Sequence, residues 1–593
     1  MRVVVGAALP VDSSPVPDLV VRVDSKAVPF SAPEAEGAWS PLLWAPDDAL
    51  PDISCFLRRS AGIVEGEIAV GNVSIVPGKP AKPARTAAIA VEPGSGWAIA
   101  WDLERPWPSI YPIGRETWRR FCLYRADAPD SKAEAERRAR GAFRADWDAR
   151  KLAYGPTNMP LPRLSKPQAA QIEAIDADRL KRIRAALAAS APFEVDDRED
   201  AVMAYPGGQS PLGPRDGGSP GGSGIQFATG WRQNPKDLEI AVLVAPCEHV
   251  RMLRYARRDT GAILSVDDYP NAPYSPDLWG GPLPETVGVA NDDPLPPPYD
   301  FAHEIRGSRR TIQLTEQLDS PMARRSLAGV AAVARMRFSE RGRMPPVEGY
   351  YPVNVASLLS QARAAPHQGI WGSTAGRQIG WAAFENAQCI KVNGGTTGQR
   401  KWAAEFLDLI EVAESAAGVF QKAWGNPFPE KVDAQGKKIY CMQTFEYVIL
   451  AYGASGLAIQ TGSERGKGAF VKGFSQIYGP ATKVPILKYY HAVGPWKFID
   501  TADENGGMRA ELSDGSPASD DVVGDATHAE AAIALAHHLT GDPAWIERMR
   551  LYNGGFATWK KKLAALTSRD ATEIDWQAFA VAQMQKQLDA EPK

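Results

Sequence analysis

Cysteine is scarce in this chain: five in 593 residues (Cys55, Cys122, Cys247, Cys389 and Cys441), with no CxxC pair. That count excludes a dense disulfide framework and suits a reducing compartment or at most one or two bridges. Histidine is scarce as well. The seven (His249, His303, His367, His491, His528, His537, His538) all follow residue 248, so the first part of the chain is a poor place for proton transfer near neutral pH. There is no HExxH pair and no Cys/His spacing of zinc type. Lys467 of GSERGKG is followed by Gly468 rather than Ser or Thr, so no P-loop is present. Gly221-Gly222-Ser223-Gly224 neither follows a strand nor opens a helix, and no GxSxG elbow stands in a strand-turn-helix context. Neither a metal nor a cofactor is expected. No run approaches eighteen apolar residues, which predicts no membrane span. A formal charge of -3 lacks the basic excess of a nucleic-acid binder. Prolines and aspartates break MRVVVGAALPVDSSPVPDLVVRVDS before an apolar core forms, so it reads as a first strand and not a signal peptide. A cytoplasmic or virion-associated protein is the resulting expectation.

What is present predicts a multidomain α+β protein. A mass of 64.1 kDa with 44% hydrophobic residues calls for two to four domains. Residues 1–130 read as a β-rich sandwich or barrel. Leu19–Val23, Ile63–Val70 and Thr86–Val91 are strand-like runs set off by turn residues, and Trp97–Trp101 alternates large and small with one aromatic face. Residues 131–298 form a mixed connecting region. In it Lys132–Lys151 and Lys166–Ala189 read as helices, Leu238–Ala245 as a strand, and Val250–Arg258 as a short basic helix. Gly207–Gly224 is rich in Gly, Pro and Ser, as a linker or a loop over a site would be. Residues 299–593 are helical in period, with helices expected at His303–Gln317, Pro321–Glu340, Val355–Ala365, Ala375–Lys391, Gln399–Trp424, Tyr440–Thr461, Thr527–Leu539, Pro543–Leu551, Phe556–Leu566 and Thr572–Leu588. Gly541-Asp542-Pro543 is a stop followed at once by a start.

The most informative stretch is Gly369–Gln388, GIWGSTAGRQIGWAAFENAQ. A glycine-rich entry leads into a helix on which Trp381, Phe384 and Gln388 share a stripe and Arg377 neighbours Trp381. Aromatic bulk mixed with polar groups suits the inner wall of a ligand-binding helical barrel, and equally an ordinary amphipathic helix edge. His537-His538, near a helix C-terminus, suit the helix dipole and the surface.

GRQIGWAAFENAQ and GDATHAEAAIALAHHLTGDPAWIERM resemble the helical hairpins of the α/α-toroid enzymes, among them alginate- and heparin-type polysaccharide lyases and several glycoside hydrolase families. The resemblance covers roughly residues 299–588. Many toroid lyases carry their β-sandwich after the toroid, whereas here the β-rich part comes first. The resemblance implies an all-α (α/α) toroid and a polysaccharide-degrading enzyme, foremost a lyase acting by β-elimination on an acidic glycan. Arg377 and Asn386 would then stabilise the enolate, His367 or His491 would take the C5 proton, and Tyr490 would protonate the leaving oxygen. Trp371, Trp381 and Trp231 would be stacking platforms, with Asp525 and His528 binding substrate. A glycoside hydrolase is the first alternative. It needs two carboxylates roughly 5–9 Å apart, with Glu385, Asp525 and Glu530 available and Asp500 and Asp503 behind them. The second alternative is a non-catalytic carbohydrate-binding or structural protein of a surface or virion, and a homo-oligomer is compatible with each reading. Arg377, His367 and Glu385 or Asn386 are expected in one solvent-accessible cavity, closed in part by Gly207–Gly224 or by residues 490–526.

Overall fold

The computed structural model describes residues 19–30, 39–44, 52–60, 62–71, 74–75, 87–103, 116–142, 153–160, 166–189, 193–194, 203–204, 234–248, 256–257, 309–337, 359–360, 363–364, 375–417, 441–442, 444–464, 471, 499–500 and 527–545. The architecture is multidomain: an N-terminal region of two open β-sheets, followed by a helical region.

The first sheet pairs β1 (Leu19–Val23) with β2 (Lys26–Ala27) on one side and, antiparallel, with β7 (Ile89–Pro93) on the other. The second has five antiparallel strands in the order β3 (Ser40–Trp44), β4 (Asp52–Ser60), β5 (Ile63–Gly71), β9 (Glu116–Arg125) and β8 (Trp97–Trp101). β3 and β8 lie at opposite edges and do not pair, so the barrel alternative gives way to open sheets. Period-two alternation decides what each face touches. Ile53, Cys55, Leu57, Val64, Ile68, Val70, Phe121 and Leu123 meet Leu19, Val21 and Val23 of the small sheet, with Trp97, Ile99 and Trp101 packed against them. The aromatic face expected of Trp97–Trp101 therefore covers the sandwich core. Gly66 sits opposite Phe121, and a Cβ there would lie 2.1 Å from the ring, so only glycine admits the aromatic.

The other face of the five-stranded sheet carries Phe56, Ala69 and Trp118 and is covered by helices. α1 (Pro129–Ala139) follows β9 and packs back on it, ending ahead of Gly141 at φ +69°. This helix is shorter than the expected Lys132–Lys151, whose later part lies outside the described residues. α2 is Lys166–Ala188, as its composition predicts.

Leu238–Ala245 is not a strand. It lies in α3 (Pro235–Glu248), which starts where Asn234 Oδ1 accepts the Asp237 N–H at 2.9 Å. The helix is buried on two sides. Leu238, Ala241, Val242 and Ala245 face the sheet, while Ile240, Leu243 and Val244 face α2. A helix sandwiched in this way is apolar all round, so its run imitates a buried strand. Ala256–Arg257, within the expected basic helix, pair in parallel with Ser74–Ile75 instead.

The helical region contains α4 (Arg309–Leu318), α5 (Pro321–Arg337), α6 (Ala375–Asn393), α7 (Thr397–Ala417), α8 (Thr444–Thr461) and α9 (Thr527–Thr540). α6 is flanked by α5, α7 and α8, and α8 also packs on α9. α7 opens with a reciprocal cap: Gln399 N–H donates to Thr396 Oγ1 at 3.1 Å, and Thr396 N–H to Gln399 Oε1 at 2.9 Å. The stop at Gly541 is present, with its N–H donating to His537 O at 2.7 Å and Asp542 Oδ1 accepting from Ala544 N at 2.9 Å. The expected Phe556–Leu566 and Thr572–Leu588 helices lie outside the described residues, as do most of Val355–Ala365 and the Gly207–Gly224 stretch.

α6 and α8 approach so closely that no side chain fits between them at Gly453. A Cβ there would stand 2.2 Å from the Gly380 carbonyl oxygen and 2.8 Å from Ala383 Cβ. The obstacle is helix backbone, which cannot step aside. Gly453→Ala is expected to cost about 2–3 kcal/mol in urea unfolding, whereas Gly462→Ala, where nothing lies within 4 Å, should lose only about 1 kcal/mol through its positive φ.

Candidate functional site

α6 is where sequence chemistry pointed, and its described part is interior. Every residue from Gly380 to Ile390 is buried. Trp381, Glu385, Asn386 and Gln388 are each 0% exposed. Asn386 Nδ2 donates to Ala382 O at 2.8 Å and to Ala331 O of α5 at 3.1 Å, and its Oδ1 accepts from Gln399 Nε2 at 3.4 Å. Gln388 Nε2 donates to Glu316 Oε1 at 2.9 Å. Asn386 and Gln388 thus join helices to one another, and Trp381, Glu385 and Asn386 are buried. α5, α7 and α8 flank this stretch of α6. Arg377 lies in the first turns of the same helix and His528 at the start of α9. Trp231, His367, Trp371, Tyr490, His491 and Asp525 lie outside the described residues.

A cleft among the described residues lies along α7 and the end of α8. It encloses about 340 Å³ and is lined by Arg400, Ala404, Leu407, Asp408, Glu411, Thr461 and Ser463. Asp408 and Glu411 share one helix face at i, i+3, so they cannot flank a bond from opposite sides as a glycosidase pair must. No aromatic ring lines it. Trp402 and Phe406, on the same helix, stack on each other at 5.5 Å and are buried. This cleft offers hydrogen bonds to a polar ligand but neither a stacking platform nor an opposed acid and base.

A dense cluster of buried ion pairs lies between sheet and helices, which carboxylate spacing alone did not announce. Glu65 and Glu67 point from β5 to the helical side, with Arg120 of β9 between them. Arg120 Nη2 meets Glu65 Oε2 at 2.8 Å and Arg120 Nη1 meets Glu67 Oε1 at 2.8 Å, with all three side chains buried. Arg58 of β4 reaches Glu65 Oε2 at 2.5 Å, and Arg138 of α1 reaches Glu65 Oε1 at 2.7 Å. Burial alone would push the Glu65 carboxyl up. Arg120 and Arg58, with hydrogen bonds from Arg58 and Arg138, outweigh it and bring Glu65 down to about 2. Glu67 Oε2 accepts from Ser320 Oγ at 2.7 Å and from Met322 N at 3.1 Å, so its carboxylate sits on the N-terminus of α5.

A sequence signal for this site existed in the charged alternation of VEGEIAV facing WRRFCLY. Buried charges on both strands of a pair require each other. Asp102, just after β8, is pushed toward neutral pH: burial raises it to about 6, against the pull of Arg119 and the Arg120 N–H. It is 1% exposed, so no substrate reaches it. Among the described residues no group of three or more His, Cys, Asp or Glu is arranged to hold a metal ion.

Compared with protein-family models and with curated proteins, the chain matches none. Its chemistry therefore has to be read from its own geometry.

That geometry predicts an acid limit. Glu65 has a folded pKa below its unfolded value, so its contribution is full above about 4.5 and is lost as pH falls toward about 2. Thermal unfolding followed across that window should show the native protein losing stability on the order of 3 kcal/mol. Glu65→Gln should flatten this acid slope while lowering stability at pH 7, since it strips Arg120, Arg58 and Arg138 of their shared anion. An unchanged acid slope in the variant would remove Glu65 as its source.

Proposed function

We propose that this chain is a non-catalytic structural component, made for assembly on a surface or in a virion, rather than a glycan-degrading enzyme. The observation that carries the reading is the burial of α6. The residues best suited to catalysis or stacking, Trp381, Glu385 and Asn386, are buried in the helical layer, where Asn386 bonds α6 to α5 and α7. The tryptophans support it too. Trp39, Trp118, Trp381, Trp402 and Trp545 are buried, and Trp44, Trp97 and Trp101 are partly buried against the core between the sheets, so most of the described tryptophan surface is spent on packing. In this reading the helices belong to an α/α toroid used as a rigid body, and the sheet-to-helix ion cluster keeps the regions in fixed register, as a load-transmitting part requires. A carbohydrate contact, if the chain makes one, serves attachment.

The test pairs chemistry with assembly. The full-length chain is incubated with a panel of acidic and neutral glycans, following both the ultraviolet absorbance of a new conjugated double bond and the release of reducing ends. Neither is expected to rise above the blank, while light scattering is expected to show particles heavier than the 64.1 kDa chain. Glycan turnover that His367→Ala lowers by about 10²-fold at unchanged melting temperature would overturn the proposal in favour of a lyase or hydrolase.

A further inference from the structure

A short hairpin, β10 (Ala153–Tyr154) and β11 (Met159–Pro160), lies in the chain between α1 and α2 and carries the turn Gly155-Pro156-Thr157-Asn158 into the helical region. Gly155 and Asn158 hold positive φ, at 67° and 54°, and Asn158 N–H closes the turn on Gly155 O at 3.3 Å. Three successive carbonyls of this turn are each met by a side chain from a different helix. Lys391 Nζ of α6 donates to Gly155 O at 2.9 Å, Gln460 Nε2 of α8 donates to Pro156 O at 2.6 Å, and His538 Nε2 of α9 lies 3.0 Å from Thr157 O. Gly155, Pro156 and Thr157 are buried. The Pro156 ring sits where α8 has Gly456, since a Cβ there would come within 2.9 Å of it. Lys391 is also held by Glu316 of α4 at 2.7 Å, which keeps its ammonium at the turn.

We propose that this hairpin is a clasp on α9: hairpin and helix open together as one unit, and α6 and α7 stay packed when they do.

The helices that the turn touches are not held equally. α6 is flanked by α5, α7 and α8, and it meets α8 so closely at Gly380 and Gly453 that no side chain fits between them. That pair needs no hairpin to stay together. Among the described helices α9 packs chiefly on α8, and its bond to Thr157 O ties it to a turn 381 residues upstream. Proline, two positive-φ residues and a closing hydrogen bond make the turn stiff, so its three carbonyls move as a set. When the turn lifts, His538 loses its acceptor; when α9 leaves, the carbonyl of buried Thr157 loses its donor. A buried polar group stripped of its partner costs more than the bond contributed, so each departure favours the other. A carbonyl only accepts, so Nε2 carries the hydrogen and the bond persists whether or not Nδ1 takes a proton. Seating of the turn, and not pH, sets the clasp.

Hydrogen exchange on the full-length chain reads the clasp, with Pro156→Ala as the probe. The substitution removes ring methylenes from the Gly456 slot and leaves Thr157 and His538 as they are. Amides of 153–159 and of α9 are expected to lose protection together, by about tenfold for two methylenes uncovered, while amides of α6 and α7 keep theirs. His538→Leu removes the donor from the other side. It is expected to lower protection in both the hairpin and α9 by about three- to tenfold, and adding Pro156→Ala to it should then cost α9 little more. A hairpin loosened by Pro156→Ala with α9 unchanged would overturn the proposal. So would fully additive losses in the double variant, or equal loss in α6 and α7, which makes the hairpin part of one common core. Pro156→Ala alone decides the matter even if His538→Leu does not fold.

Discussion

Two carboxylates on one strand, facing away from the sandwich core with a guanidinium between them, set the terms for the rest of this molecule. Glu65 and Glu67 cannot stay charged on an interior sheet face alone, because an unpaired buried charge costs several kcal/mol. Arg120 on the neighbouring strand supplies the first partner. The remaining lone pairs recruit Arg58 from β4, Arg138 from α1, and Ser320 with the Met322 N–H from the α4–α5 junction. Each partner lies on a different element, so satisfying the pair fixes where the helices sit on the sheet. The α4–α5 junction is held a second time. Trp39 Nε1 donates to Asp319 O at 2.8 Å while the Arg58 guanidinium lies 4.3 Å above the Trp39 ring. Asp319 holds positive φ at 53°, a conformation these contacts support.

The same logic recurs one layer out. Asp237 takes hydrogen bonds from Arg310 and Gln313 of α4, and Asn234, which caps α3, donates to Asp176 of α2 at 2.8 Å. Lys391 and Glu316 then join α6 to α4 at 2.7 Å. From the sheet to α9 the described elements are linked by buried polar contacts as well as by apolar packing. Such contacts select one arrangement among the many that a hydrophobic layer alone would tolerate, a role more of register than of net stability.

How much of this was legible in the sequence depended on the kind of signal. Strands with alternation (Leu19–Val23, Trp97–Trp101) and helices with composition and caps (Lys166–Ala188, Ala375–Asn393) were readable to within a few residues. Leu238–Ala245 was not, because a helix covered on both sides loses its polar face. Ser40–Trp44 and Asp52–Ser60 carry prolines, arginines or serines that blur their period. The stripe Trp381–Phe384–Gln388 was visible, but whether it faced a cavity or a neighbouring helix depended on α5, α7 and α8, which sequence spacing does not place. His537 and His538 read as surface cations at a helix end. Instead His537 is buried and His538 is half-buried against a turn from 381 residues upstream. Long-range polar contacts of this kind leave no local pattern.

Differential scanning calorimetry of Glu67→Gln beside the wild type tests the central claim most directly, that buried charge on β5 makes sheet and helices one cooperative unit. The wild type is expected to melt in a single transition. The variant keeps the shape of Glu67 but removes the anion from Arg120 and from the α5 N-terminus, and is expected to lose about 3–5 kcal/mol and to melt in separate sheet and helix transitions. A variant that melts in one transition at the wild-type temperature would contradict the account.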